Sequence, residues 1–429
     1  MLFTLLLKIY IINISMKQKK YIPTNDNIKI AIIGLGYVGL PLFCQLSKLY
    51  SCIGYDVDYN RINELSNGID SRNNVKTEKI CDAISHSIVT TDIRKIAICN
   101  ILIVTVPTPI NNYFVPDTSA LENACLSISK ILRPKTIVVF ESTVYPGATE
   151  ELCVPLLSKN SRLVFNKDFF VGYSPERINI GDDKHQISNV PKIISDSTPD
   201  VTNFLASIYQ SVLEQPVVIA SSIKVAEAAK MYENVQRDTL IALANEYADY
   251  CKKEGIDIEE VTNCASSKWN FSQVKPGLVG GHCIGVDPYY LLYRASHIGV
   301  DLPLVKQSRQ TNEEKVKIVS ERIARMINPH DNVLFLGFSY KPNCQDIRNT
   351  KVAFIAKKLI EKGYSIDCYD PLVNAADVFN EYGIKLIKKL PNELHYALII
   401  VMVNHDCFKS IICHNKKENS KIVNLQRIL

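Results

Sequence analysis

Short, continuous runs of aliphatic and β-branched residues recur along the first half of the chain, each followed by a helix-compatible stretch. "NIKIAIIG" is the first, and after its glycines the sequence continues as "LPLFCQLSK"; "SCIGYDVD", "ILIVTVPTP" and "TIVVFESTVYPG" follow. Runs without polar alternation mark strands buried on both faces, and their alternation with helices predicts a parallel sheet. A further α/β-like stretch extends to about residue 215. The pattern then changes: "SSIKVAEAAKMYENVQRDTLIALANEYADYCKKEG" runs without proline or internal glycine. It predicts one long helix, capped by Ser221 or Ser222 and ended by Gly255. Near residue 330 the strand–helix alternation resumes in "NVLFLGFSYKP", "VAFIAKKLIEKG", "YSIDCYDP" and "ALIIVMV". The predicted fold class is α/β, with two Rossmann-like doubly wound parallel-sheet domains joined by a long central helix. The expected boundaries are 27–215, 216–325 and 326–429, with residues 1–26 a poorly ordered extension.

Composition changes this picture little. The 429 residues exceed what one core supports, and 47% hydrophobic with 22% charged is ordinary for a globular chain. The net charge is +5, of which Lys8, Lys17, Lys19 and Lys20 supply +4, leaving a nearly neutral body with no basic groove for nucleic acid. The thirteen cysteines are scattered and odd in number, and no pair has metal-ligand spacing. They point to mostly buried free thiols in a reducing compartment, with no metal site expected. The opening "MLFTLLLKIYIINIS" lacks a basic first segment and a small-residue cleavage site, so it does not read as a signal peptide; Met16 is an alternative start. No stretch is long enough to span a bilayer, and the expected location is the cytoplasm.

Gly34, Gly36 and Gly39 form G-x-G-x-x-G between a strand and a helix, with Tyr37 and Val38 inside the turn. In that context the first glycine permits the tight turn, and the second lets backbone approach a pyrophosphate. The third allows close helix–strand packing, and the helix N-terminus attracts the anion. Asp56 ends the next strand, where an acid accepts from ribose hydroxyls and repels a 2′-phosphate, which favours NAD over NADP. The plainer readings are an empty glycine turn and Asp56 as a helix cap. Arg61 lies along the adenosine or is simply solvated. Ligands of parallel sheets sit beyond the strand carboxyl ends, which places Val106–Pro109, including Thr108, and Glu141–Gly147, including Ser142 and Thr143, around the cofactor. Pro107 and Pro109 can otherwise stiffen a loop, and Ser142 and Thr143 can cap a helix.

Lys230 and Asn234 are spaced i, i+4 on the long helix. Together a lysine and an amide can hold an oxygen on which negative charge develops, although a lysine on such a helix is more often solvated. "GLVGGHCIGVDPYYL" sets Cys283 among glycines, where a ligand or a second chain segment can approach backbone closely. Asp287-Pro288 reads as a helix start, and a thiol beside a helix N-terminus is enriched in thiolate. His282 shapes this loop or fills space.

These segments, with "GYSPERINIGD" and "GFSYKPNCQDIRNT", resemble the nucleotide-sugar 6-dehydrogenases, the family of UDP-glucose and GDP-mannose dehydrogenases, from about residue 28 to 429. The wording of "ESTVYPG", "SPERIN" and "GGHCIGVDPYYL" is most similar to the branch acting on UDP-N-acetylhexosamines, such as the UDP-N-acetylglucosamine 6-dehydrogenases of surface-polysaccharide synthesis. The resemblance implies a four-electron oxidation of a C6 alcohol to a carboxylate with two NAD+. By it, Cys283 is the nucleophile and Lys230 and Asn234 steady the C6 oxygen. Glu176 is a general base, and Thr143 and Asp287 hold the hydrolytic water. It also places Arg177, Lys275, Gly277, Gly280, Tyr340 and Lys341 around a UDP-sugar, with the glycines letting backbone wrap it, and Arg348 at the dinucleotide. Ile180 stands where the branch usually has proline and other relatives an acid. "SSKWN", with Lys268, occupies a region where some relatives supply an arginine to a neighbouring subunit. A homodimer through the central helix is implied.

Overall fold

A computed structural model of the chain describes residues 27–177, 187–390, 396–409 and 421–429. The expected extension over 1–26 and the departure at Ile180 lie outside them. The chain divides into two compact units, residues up to Met231 and Tyr232–Leu429.

The first unit holds a sheet of eight strands among the described residues: β1 (Lys29–Ile33), β2 (Ser51–Tyr55), β3 (Ile88–Thr90), β4 (Ile101–Val104), β5 (Ile137–Phe140), β6 (Phe170–Tyr173), β7 (Lys192–Asp196) and β8 (Val217–Ile219). Their order is β3-β2-β1-β4-β5-β6-β7-β8, parallel throughout except for β6 and β7. The absence of alternation in the sequence has the expected cause. Ile30, Ile32, Ile101, Ile103 and Val139 enter one apolar cluster, while Ala31, Ile33, Leu102, Val104 and Val138 enter another. Successive strand residues face opposite sides, so the central strands β1, β4 and β5, covered on both faces, are apolar at nearly every position. The strand order reverses between β1 and β4, and the crevice at such a point is where doubly wound sheets bind ligands. The glycine turn and the "VPTP" loop both leave from it.

The second unit carries β9 (Asn332–Leu336), β10 (Ser365–Tyr369), β11 (Leu398–Val401) and β12 (Ile422–Asn424), all parallel, in the order β10-β9-β11-β12. Here too, Val333, Phe335 and Ile400 go to one core and Leu334, Leu336, Ile399 and Val401 to the other. The long helix is continuous over Ile223–Glu254. Ser222 Oγ accepts from Val225 N at 3.3 Å, and Gly255 follows with φ +74°, so of the two serines Ser222 is the cap and Gly255 the left-handed stop. The division between units falls inside this helix rather than at its ends. Among the described residues no helix is long and apolar enough to cross a membrane.

Candidate active site

In the first unit the turn from Gly34 to Val38 delivers the chain into the helix Gly39–Leu46. Gly34 has φ +93°, a region that L side chains avoid. A Cβ on Gly39 would stand 1.9 Å from the Gly34 carbonyl oxygen and 2.4 Å from Thr105 Oγ1. The third glycine is therefore needed for contact between helix and strand end, and Thr105 Oγ1 donates to that same carbonyl at 2.6 Å. Asp56 Oδ2 accepts from Leu35 N at 2.8 Å, and Oδ1 accepts from Asp58 N. The next helix, Tyr59–Ser66, is capped by Asp58, whose side chain accepts from Asn60 N. Asp56 is thus not the cap. Each of its oxygens keeps lone-pair capacity to accept from ribose hydroxyls, and these acceptors fit a dinucleotide without a 2′-phosphate.

Arg61 is not solvated. Its guanidinium is 2% exposed, donates from Nε to the Leu35 carbonyl at 2.9 Å and pairs with Asp70 at 2.8 Å. These contacts brace the glycine turn from inside. Arg72, which drew no attention in the sequence, stacks over the Tyr37 ring and comes close to Gly36. Ser142 donates to the Val106 carbonyl at 2.7 Å and so ties the loop after β5 to the loop after β4, where Thr108 is buried. The next helical turn begins at Thr149 behind Ala148, so neither Ser142 nor the half-buried Thr143 is a helix cap. Gly147 N and Thr149 N both donate to Glu227 on the long helix, whose pKa burial raises.

Lys230 is only 4% exposed, which removes the solvated reading, and its Nζ lies 2.5 Å from the Glu176 carbonyl oxygen. The Glu176 carboxylate accepts from Arg177 N at 2.7 Å and pairs with Lys192 at 2.6 Å. Arg177 itself is exposed.

In the second unit Cys283 is exposed, whereas most of the described free cysteines are buried. Its carbonyl accepts from Val286 N at 3.0 Å and Asp287 N at 2.8 Å, closing a turn directly before the helix Asp287–His297. Val286 occupies the cap position, so Asp287 is not the cap. It is 2% exposed and accepts through Oδ2 from Asn234 Nδ2, itself fully buried. Gly280 and Gly281 are explained by a second chain segment: added Cβ atoms would meet Asn349 and Tyr340 at 3.0 Å and 2.8 Å. Among the glycines of this loop, only Gly277 has nothing within 4 Å of an added Cβ. Its N–H and carbonyl are both held by the Asn245 amide. Gly277, Gly280, Lys275, Tyr340 and Lys341 line one pocket, and the Lys341 ammonium lies over the Tyr340 ring.

Arg348 makes a bidentate pair with Asp346 at 2.9 and 2.6 Å, and its carbonyl accepts from Gly281 N. Asp370, which ends β10 as Asp56 ends β2, also accepts from the amide after a left-handed glycine, Phe338 N at 2.7 Å. Unlike Asp56 it is sealed by Ser339 N and by His405 Nε2 at 3.0 Å. Asp370 therefore keeps the contact with the glycine turn but is closed to a ribose.

Burial pushes the His282 imidazole down to about 4, and the Arg348 charge adds to the shift. His282 is therefore neutral near pH 7. Its folded pKa lies below the unfolded value of 6.5, so the folded state binds fewer protons between the two. Stability is full above about pH 6.5 and declines as the pH falls towards 4, by roughly 2 kcal/mol for this partly accessible group. Denaturant midpoints at pH 7.5 and 4.5 should fall further apart in the parent than in His282→Gln. Equal separation would refute the assignment.

Three consecutive parts of the chain match the UDP-glucose/GDP-mannose dehydrogenase family: the NAD-binding domain over residues 28–213, the central domain over 224–314 and the UDP-binding domain over 334–429. The chain is 46% identical to the UDP-N-acetyl-D-glucosamine 6-dehydrogenase of Salmonella typhi over 392 residues, 90% of this chain and 92% of that one. It is 43% identical to Protein CapL of Staphylococcus aureus, over 92% and 93% of the two chains. A solved UDP-D-ManNAc dehydrogenase from Pyrococcus horikoshii superposes with a TM-score of 0.84 at 26% identity, covering 94% of this chain and 96% of that one. The chain belongs to the UDP-glucose/GDP-mannose dehydrogenase family and is an NAD-dependent oxidoreductase of UDP-sugars.

Proposed function

We propose that this family member oxidises the C6 alcohol of a UDP-N-acetylhexosamine, UDP-N-acetylglucosamine before UDP-N-acetylgalactosamine, to the uronate. The sugar assignment rests on the 46% identity spanning nearly all of both chains to a relative named for that activity. The observation that carries the chemistry is the exposed Cys283 thiol on a turn closed by its own carbonyl.

NAD+ supplies the hydride acceptor twice. In the first oxidation the C6 alcohol loses a hydride and a proton to become an aldehyde. Lys230 and Asn234 donate to the C6 oxygen as negative charge develops on it, and Glu176 takes up a proton. The Cys283 thiolate then adds to the aldehyde, and the resulting thiohemiacetal keeps the carbon in place with one hydride still to give. Loss of that hydride leaves a thioester, and water held by Thr143 and Asp287 displaces the thiol to release the carboxylate. Covalent capture divides one difficult oxidation into two accessible ones. The Asn234–Asp287 hydrogen bond orients both groups.

The match of residues 28–213 to an NAD-binding domain supports an NAD site formed by Gly34, Gly36, Tyr37, Val38, Gly39, Asp56, Thr108 and Ser142. Arg61 supports it from below, and we keep Arg348 as a cofactor contact. Tyr232, Leu243, Tyr247 and Tyr250 leave an exposed apolar stretch on the long helix, which supports a homodimer there. A cytoplasmic enzyme of surface-polysaccharide synthesis follows from the same reading, as do the domain limits 27–215, 216–325 and 326–429.

The test is a panel of UDP-N-acetylglucosamine, UDP-N-acetylgalactosamine, UDP-glucose and GDP-mannose, with NADH counted per sugar. Two NADH per sugar, and the highest kcat/KM with an N-acetyl donor, is the expected result. Preference for UDP-glucose overturns the sugar, and a single NADH per sugar overturns the thioester route.

A further inference from the structure

We propose that Lys192 is a positioning residue of the oxidation, fixing the Glu176 carboxylate in one orientation and, through the Glu176 carbonyl, setting the place of the Lys230 ammonium. The inference rests on the roles given above to Glu176 and Lys230.

Lys192 is the first residue of β7, the strand that runs antiparallel to its neighbour β6. Tyr173, the last residue of β6, pairs with Ser195, so Lys192 lies three residues beyond the carboxyl end of β6. That reach, roughly 10 Å of extended chain, follows the path of Ser174, Pro175 and Glu176. A parallel β7 would have carried Lys192 to the opposite edge of the sheet, away from the ligand crevice. The reversal brings a cation to the edge where Glu141 follows β5 and Glu176 follows β6.

The ammonium is 3% exposed and lies 3.0 Å from Glu141 and 2.6 Å from Glu176. Tyr209, near the end of the helix Pro199–Gln210, donates to the other Glu141 oxygen at 2.6 Å. Burial alone would lower the lysine pKa, but the two carboxylates raise it, so the ammonium stays charged. Glu141 is pushed up by burial, against the pull of Lys192. A buried ammonium is costly unless paired, and here its pairing ends on a carboxylate assigned to the chemistry. Glu176 is thus held from both sides, by Lys192 on one oxygen and by Arg177 N on the other.

Without Lys192, two carboxylates would be left buried near one another, and one must retain a proton to higher pH. Lys192→Met should lower kcat by about 30- to 100-fold, an electrostatic and positioning effect. KM should stay within about threefold, NAD binding should be unchanged, and the acid limb of the kcat–pH profile should move to higher pH. Lys192→Arg should recover most of the loss. Lys192→Met combined with Glu176→Gln should be no slower than Glu176→Gln alone, because the lysine acts through that carboxylate. A folded Lys192→Met enzyme with the parent's kcat and pH profile overturns the inference, as do losses that multiply in the double variant. Should Lys192→Met not fold, Tyr209→Phe removes one hydrogen bond from the same group. A three- to tenfold fall in kcat (roughly one bond's worth) with the same direction of pH shift supports the inference, and an unchanged profile overturns it. All values are ratios to the parent on whichever sugar the parent oxidises, so the sugar assignment does not enter. Glu176→Gln at the parent's rate overturns the role given to Glu176, whereas Lys192→Met at that rate beside an impaired Glu176→Gln overturns only the inference.

Discussion

Cys283→Ala is expected to bind NAD and sugar nucleotide as the parent does and to lose net uronate formation, with kcat down on the order of 10⁴-fold or more. The loss is chemical rather than structural. The Cys283 side chain is exposed, and the turn around it is closed through the backbone carbonyl, which accepts from Val286 N and Asp287 N. Truncation at Cβ removes neither bond and creates no cavity, so melting temperature should hold within a degree or two. What disappears is the sulfur that keeps the half-oxidised carbon in place. Product analysis by mass spectrometry with NADH counting settles the matter: a folded variant that still releases uronate with two NADH at the parent's rate would remove Cys283 from the mechanism.

Gly39→Ala should be nearly as damaging by an opposite route. The methyl group would overlap the Gly34 carbonyl and crowd Thr105, both of which fix the turn. Neither obstacle is the free end of a flexible side chain. Helix and strand must therefore separate, at a cost of about 3 kcal/mol or more, and the amides that would face a pyrophosphate go with them. Calorimetric titration should show NAD affinity down at least 100-fold, about 2.7 kcal/mol, together with a lowered melting temperature. Gly277→Ala is the control, because nothing lies within 4 Å of its added Cβ and its φ is not left-handed; it should fold with parent-like stability. Unchanged NAD affinity in Gly39→Ala would mean that the turn does not grip the dinucleotide.

The legible parts of this protein were local. The glycine turn, the uninterrupted helix, the strands apolar at every position and the cysteine before Asp-Pro each depend on residues a few positions apart, where backbone geometry converts spacing into shape. The parts that escaped were groups whose partners are remote in sequence. Lys192 resembles any lysine opening a strand until the antiparallel pairing brings it to Glu141, 51 residues away. Asn245 gave no sign that it holds Gly277, 32 residues on. Local ambiguity also misled. Asp56 could be read as a helix cap in the sequence, but Asp58 is the cap, and the separation of their roles depends on Leu35 N meeting one and Asn60 N the other. Of the two approaches that the glycines left open, a ligand or a second chain segment, Gly280 and Gly281 admit the segment carrying Tyr340 and Asn349.

The sequence by itself determined the α/β class, two sheets built mainly of parallel strands, the long helix that separates them in chain order and the chemical types available, because periodicity and glycine placement act over one or two turns of chain. The antiparallel pairing of β6 and β7 it did not show. Only the tertiary structure decided which charges are buried, which carboxylates are already taken by a donor, and which glycines serve packing. Burial and pairing depend on what lies opposite in space, and desolvation gives a buried lysine or aspartate consequences that the same residue lacks at the surface.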